Sequence, residues 1–321
     1  MGAGWTQSWK DEWKVEKLSL FPSRPEVLLQ PRWNIPPSVW LVYRSCMLAN
    51  VVGWCVYTAL IFNTPKFLIF LSHISYILMG LYYLVALLNL AWAFIHVRVF
   101  CYRRMRDATI GKTYCCRSMR TFPLPALLAF SLCLQWFLHA VVGSFSLCVS
   151  FLYWILNYPS FQHTLTAFTI NLHLVNSIQT ILDVLLSSTP VHLYHYVCAL
   201  LAAALYVAFV VIYWLTGCTN ISGQPYIYSL LDFGGRPLVA ASVTLAVCLL
   251  CLPFFHFLLW NLQLLREKIE AGCRGRRMAL RKWAWWWVRV GGCPVSELVF
   301  SLDPGSSVFE TSCKEALVEI P

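Results

Sequence analysis

Apolar residues along this chain arrive in long blocks and not in the short alternating or amphipathic periods of a soluble domain. Six blocks, at about 38–62, 66–96, 124–156, 162–188, 191–216 and 237–264, are each long enough to cross a hydrocarbon core, which takes about 20 helical residues. Proline bounds most of them, at Pro65, Pro123, Pro159, Pro190 and Pro237. The pattern predicts an all-α, polytopic membrane helical bundle of about six transmembrane helices. The third block is too long for one straight crossing, so it should tilt, break near Gly143 or continue past the membrane.

Polar positions inside these blocks are ordered. In the fourth, Thr166, Thr169, His173, Asn176, Thr180, Asp183 and Ser187 follow one another at steps of three and four, which puts them on one narrow helical face. A polar face is costly in hydrocarbon, so it should meet neighbouring helices or a water-filled space. The second block carries a similar stripe of Ser72, Ser75, Tyr82, Asn89 and His96, with Met79, Ala86 and Ala93 between them, and the third carries Ser131, Gln135 and His139. At about 1.5 Å per residue, His73, His139 and His173 come to comparable depths. Interhelical hydrogen bonding alone would explain such seams. The competing expectation is a polar cavity lined by His73, His139, Asn176, Thr180 and Asp183. Asp183, near the inner end of its block, is expected to reach water or to pair with His192 or His195.

Charge sets the orientation. Arg98, Arg103, Arg104, Arg106, Lys112, Arg117 and Arg120 crowd the 97–123 loop, and Arg266, Lys268, Arg274, Arg276, Arg277, Arg281, Lys282 and Arg289 follow the last block. Basic residues stay on the cytosolic side, so both regions, and with six crossings both termini, should be cytosolic. The sequon Asn220-Ile221-Ser222 then falls on the opposite side, where glycosylation at Asn220 is available. The net charge of +10 is thereby accounted for without nucleic acid. With 59% hydrophobic and 12% charged residues, a soluble enzyme is excluded.

The expected organisation is a cytosolic segment 1–37, a six-helix domain 38–265 and a cytosolic tail 266–321. Trp5, Trp9 and Trp13 recur every fourth residue among lysines, as in a helix lying at the membrane interface, and Arg281 to Arg289 form a second Trp-rich stretch before an acidic end. Most of the 14 cysteines lie in apolar runs or beside basic segments, which is not a disulfide framework. Cys101, Cys115 and Cys116 are candidates for lipidation. No metal site and no cofactor are expected, and the expected partners are membrane lipids, in the plasma membrane or an endomembrane.

The run Asn171-Leu172-His173-Leu174-Val175-Asn176-Ser177-Ile178, continuing through Leu182-Asp183 to Pro190-Val191-His192, resembles the rolling stone family of multipass membrane proteins. The similarity extends to Lys66 through Ser75 and to Tyr226 through Phe233, and covers roughly 35–265. It implies a six-helix membrane protein linked, through the insect member, to myoblast fusion. The family is also distantly similar to androgen-induced membrane hydrolases of fatty acid esters of hydroxy fatty acids, which use an intramembrane threonine and histidine. That similarity would place the nucleophile on Ser72, a serine where threonine is expected, and the base on His173, with a lipid ester as ligand. Without a G-x-S-x-G elbow, and without the inverted repeat of a transporter, three functions remain in order: membrane organisation or fusion, lipid-ester hydrolysis, and transport.

Overall fold

A computed structural model describes residues 9–21, 25–33, 35–107, 126–157 and 165–290. Among them the architecture is all-α, and the β pairing recorded is an isolated bridge between Pro31 and Ser187. The rods, in chain order, are α1 (Pro37–Phe62), α2 (Leu71–Asp107) and α3 (Ala126–Leu152). A fourth is assembled from α4 (Ala167–Ile170), a π turn (Asn171–Val175) and α5 (Asn176–Leu186). Then come α6 (Tyr196–Leu215) and a last rod of α7 (Pro237–Ala246), a π turn (Val247–Cys251) and α8 (Leu252–Val290). Five of these are long and apolar enough to cross a membrane, so the protein is a multipass membrane protein. The fourth rod is polar and interrupted, in pieces of 4, 5 and 11 residues, yet its combined length of roughly 30 Å equals that of a hydrocarbon core.

Local chemistry explains the ends. Pro37 and Pro237 occupy first-turn positions where a missing N–H costs nothing. α1 stops at Asn63, which adopts the left-handed conformation (φ 45°) that asparagine tolerates, and its N–H closes on the Ala59 carbonyl at 3.2 Å.

α3 is the hub. Of its apolar window 56% is inside the protein, against 11% for α1. Every residue from Leu138 to Ser146 is buried, because Ala140, Gly143, Ser144 and Ser146 let neighbours approach closely. A Cβ on Gly143 would lie 2.8 Å from Leu259 Cδ1. The expected break at Gly143 is therefore absent: glycine serves contact with the last helix, and the excess length is taken up by a π turn at Tyr153–Asn157.

The chain divides into two compact units, 1–267 and 268–321. The second supplies the remainder of α8, whose backbone stays helical through the Trp-rich stretch. The amino-terminal segment belongs to the first unit. Trp9 packs edge-on against Phe257 and Trp260, and Trp13 against Tyr194, so these two indoles cover protein; Trp5 lies outside the described residues. Glu12 ties this strap down: its carboxylate accepts from the Leu193 N–H (3.0 Å) and from His192 Nδ1 (3.3 Å), with Lys17 Nζ at 3.7 Å.

Burial pulls the Glu12 carboxyl towards higher pKa, but the His192 and Leu193 bonds and the Lys17 charge outweigh it and hold the group below the usual carboxylate range. A depressed folded-state value means that the tie stabilises the docked strap above the ordinary carboxylate range and is lost as pH falls through the folded value. Removing a charged, buried hydrogen-bonding partner of this kind costs about 1.5–3 kcal/mol. Glu12→Ala should therefore speed amide exchange across residues 9–19 by about tenfold or more at neutral pH. Acidifying the wild type should bring its protection factors, taken relative to the pH-dependent intrinsic exchange rate, towards those of the variant, whose protection factors stay unchanged; equal protection in both proteins at neutral pH would refute the tie.

Candidate functional site

The site is organised around the carboxyl-terminal end of α5. A helix leaves its last four carbonyls without intrahelical donors, and at membrane depth water does not supply them. Here each has a protein donor. Arg266 Nη1 donates to Val184 O (2.5 Å) and Ser187 O (2.6 Å), Trp33 Nε1 to Leu185 O (2.8 Å) and the Arg32 N–H to Leu186 O (2.7 Å). A cation at this end also opposes the helix dipole. Arg266 is thus 1% exposed, a bundle residue and not the first of the solvated tail charges that the sequence suggests.

One turn earlier, Asp183 forms an ion pair with Arg44 of α1 at 2.6 Å, their side chains 3% and 2% exposed. The Tyr82 hydroxyl donates to the other carboxylate oxygen at 2.5 Å, and His139 Nε2 stands 3.9 Å from it. The guanidinium carbon lies 4.6 Å from the Trp40 ring centre and 5.4 Å and 5.7 Å from those of Tyr82 and Tyr83, so aromatic faces replace its water shell. Asp183 therefore pairs with Arg44, and not with His192 or His195 as expected from the sequence: His192 is taken by Glu12, and the helix face that carries Asp183 looks towards α1, α2 and α3.

The predicted seam on the fourth rod is buried from His173 through Asn176, Thr180 and Asp183 to Ser187. Thr166 and Thr169 depart from it, because Thr166 caps α4 by accepting the Thr169 N–H at 3.1 Å. The π turn adds Asn171 to the buried set, where its amide donates to Tyr76 Oη at 2.6 Å. Asn176 and Ser177 are consumed by Ser150, at 3.0 Å and 2.6 Å. Between α2 and α3, the Asn89 side chain donates to Gln135 and accepts from the Ser131 hydroxyl, and Gln135 donates to Leu28 O at 2.9 Å.

Of the three histidines expected at one depth, His139 separates from the other two. His73 sits among Phe62, Phe67, Phe70 and Phe168, with both ring nitrogens buried and unpartnered, and His173 lies flat on Tyr153 at 3.6 Å. His139 is instead at the opposite level, with Asp183. The first turns of α3 pack beside Leu28 through Leu128 and Leu132, so depth measured from the start of that block overshoots. Ser72 and His173 share no hydrogen bond; Ser72 adjoins the Tyr228 phenol, which accepts the Leu71 N–H at 2.9 Å.

Two gaps with room for about one water molecule each flank His139. One is bounded by His139, Thr180, Asp183, Tyr82, Tyr83 and Gly143, and the other by His139, His195, His256, Pro190, Val191 and Leu259. His73 and Asn176 border neither gap. In its neutral form His256 carries its proton on Nε2, which donates to His192 O (2.9 Å), leaving Nδ1 to accept from Ser144 (2.9 Å). No group of three metal-ligating side chains gathers among the described residues.

Elsewhere, Asn220 folds its side chain into a turn, accepting from the Ser222 and Gln224 N–H groups, each at 2.9 Å. Cys101 lies on α2, while Cys115 and Cys116 fall outside the described residues. Sequence reasoning gave no role to Arg44, Glu12, His256 or Gln263, whose side-chain oxygen accepts the Val191 N–H. The signal for Arg44 was available: an arginine inside an apolar block has to find a counter-ion, Trp40 stands one turn away and Tyr43 directly precedes it.

Breaking a buried pair by removing one member strands the other charge and costs about 3–5 kcal/mol, whereas exchanging both for apolar residues often does not. Arg44→Met and Asp183→Leu alone should each lower the thermal unfolding midpoint of the detergent-solubilised protein sharply. The double variant should unfold above either single one, and additive losses would contradict a direct pair.

The family model described as "Protein rolling stone" matches residues 7–272, a span that contains every residue of this cluster. Protein rolling stone of Drosophila melanogaster is 28% identical over 102 residues, 31% of this chain and 37% of that protein, so the match spans little more than a third of the relative's length. No solved structure matches. With most of its length, bundle and inner cluster included, inside the family model, this chain belongs to the rolling stone family.

Proposed function

We propose that the protein organises membranes in cell fusion, acting through protein partners and local lipid packing and not by catalysis or direct bridging. The observation that carries this reading, among the described residues, is that Asn171, Asn176, Ser177 and Asp183 of the fourth rod bond to neighbouring helices, and that the gaps flanking His139 are water-sized, far below the roughly 300–1,000 Å³ of ligand pockets. The longest linker of the expected outer side gives little to grip another cell with. Lys66 Nζ donates to Thr219 Oγ1 (3.2 Å) and Asn220 O (3.3 Å), and Ile227 and Tyr228 pack on Ile69 and Val210. In fusion-competent cells lacking the protein, a version with only the exposed turn 221–225 shortened should restore fusion as fully as wild type. Failure to restore it, with normal surface levels, would overturn the indirect role.

Lipid-ester hydrolysis by Ser72 and His173 is the second reading. Its support is the buried, unpartnered Nδ1 of His173 beside the equally unpartnered His73. A fluorophosphonate probe on the purified protein separates the two readings. No labelling that depends on Ser72 is expected, whereas labelling abolished by Ser72→Ala would establish the enzyme.

A further inference from the structure

We propose that the two gaps beside His139 are a built water site: one ordered water between His195 and His139, and a second between Thr180 and Asp183. Together they join the Arg44–Asp183 pair to solvent at the strap end of the bundle. The ligand is water, with the protons it carries, and the proposal is independent of the fusion reading.

A gap of this size holds water only where polar atoms line it; lined by hydrocarbon it stays dry. Among the residues that line each gap is one, more than nine-tenths buried, with a polar atom that has no protein partner. Those atoms are His195 Nε2, on a residue 2% exposed, and Thr180 Oγ1, on a residue 5% exposed. Leaving such an atom unsatisfied costs about 1–3 kcal/mol, which one water per gap removes. His139 borders both gaps and has a donor or acceptor nitrogen for each water.

The row continues to the surface. The His195 ring lies 5.4 Å from that of His192, whose side chain is 12% exposed beneath Glu12. In the other direction it stops. Asn176 and Ser177 are closed onto Ser150, and the apolar cluster of Tyr76, Leu138, Val142 and Leu172 follows. The charged and titratable groups facing the site are Asp183 from α5, Arg44 from α1, Tyr82 and Tyr83 from α2, and His256 and Arg266 from α8. Asp183 offsets one of the two guanidiniums, Arg44, and the other, Arg266, is met by the Val184 and Ser187 carbonyls.

Radiolytic hydroxyl labelling in heavy-oxygen water, on the full chain in lipid nanodiscs, reports water held against a side chain. Tyr76 is as buried as Tyr82 and Tyr83 but bonds to Asn171 on the far side of the plug, and so serves as the internal reference. Tyr82 and Tyr83 should acquire heavy oxygen about tenfold faster than Tyr76, as expected for side chains touching exchangeable buried water. Thr180→Val, isosteric but without the hydroxyl, should slow Tyr82 and Tyr83 and leave His195 unchanged. His139→Phe, which fills the junction, should bring both tyrosines to the Tyr76 rate. Wild-type Tyr82 and Tyr83 labelling no faster than Tyr76, or labelling unaltered by Thr180→Val, would overturn the proposal even if His139→Phe failed to fold.

Discussion

The fold depends on one contact that the bilayer makes obligatory. Arg44 and Asp183 are separated by 139 positions in sequence, and in lipid neither can remain charged and alone. Their pairing fixes the rotation and height of α1 against α5. The aromatic rings around the guanidinium and the Tyr82 hydroxyl on the carboxylate complete the shell that water would otherwise provide. Because attraction at 2.6 Å is offset by the cost of removing both ions from water, the pair contributes more to a single arrangement of helices than to net stability.

The remaining polar contacts extend this logic. With no hydrophobic drive between helices already in lipid, association relies on close packing and on hydrogen bonds worth about 0.6–2 kcal/mol each. α3 supplies both, through Gly143 and its small neighbours and through Gln135, Ser144 and Ser150. The end of α5 is sealed by groups from two distant parts of the chain, Arg32 with Trp33 ahead of α1 and Arg266 on α8, which makes the amino-terminal segment a structural member of the bundle.

Much of this was legible in the sequence. Steps of three and four from His173 to Ser187 gave the buried face, since helical periodicity is a local property. Block length gave the membrane class, and the rolling stone resemblance agrees with the family match. What escaped were choices between partners. Asp183 could be recognised as needing a counter-ion, but the candidates nearest in sequence, His192 and His195, were favoured over Arg44, because sequence distance carries no information on which helices adjoin. Arg266 was assigned to the tail by its basic neighbours, although its role is set by the carbonyls of another helix. The shift that buries Asn171 came from a π turn, which has no composition signature.

The central claim is a direct contact between Arg44 and Asp183 within lipid. Dipolar recoupling by solid-state NMR, between guanidinium nitrogen and aspartate carboxyl carbon labels in the bilayer-reconstituted protein, tests it. The account predicts strong dephasing consistent with a nitrogen–oxygen contact of 2.6 Å, lost when arginine labelling is repeated in Arg44→Met. Dephasing that persists in that variant, or none in the wild type, would contradict it.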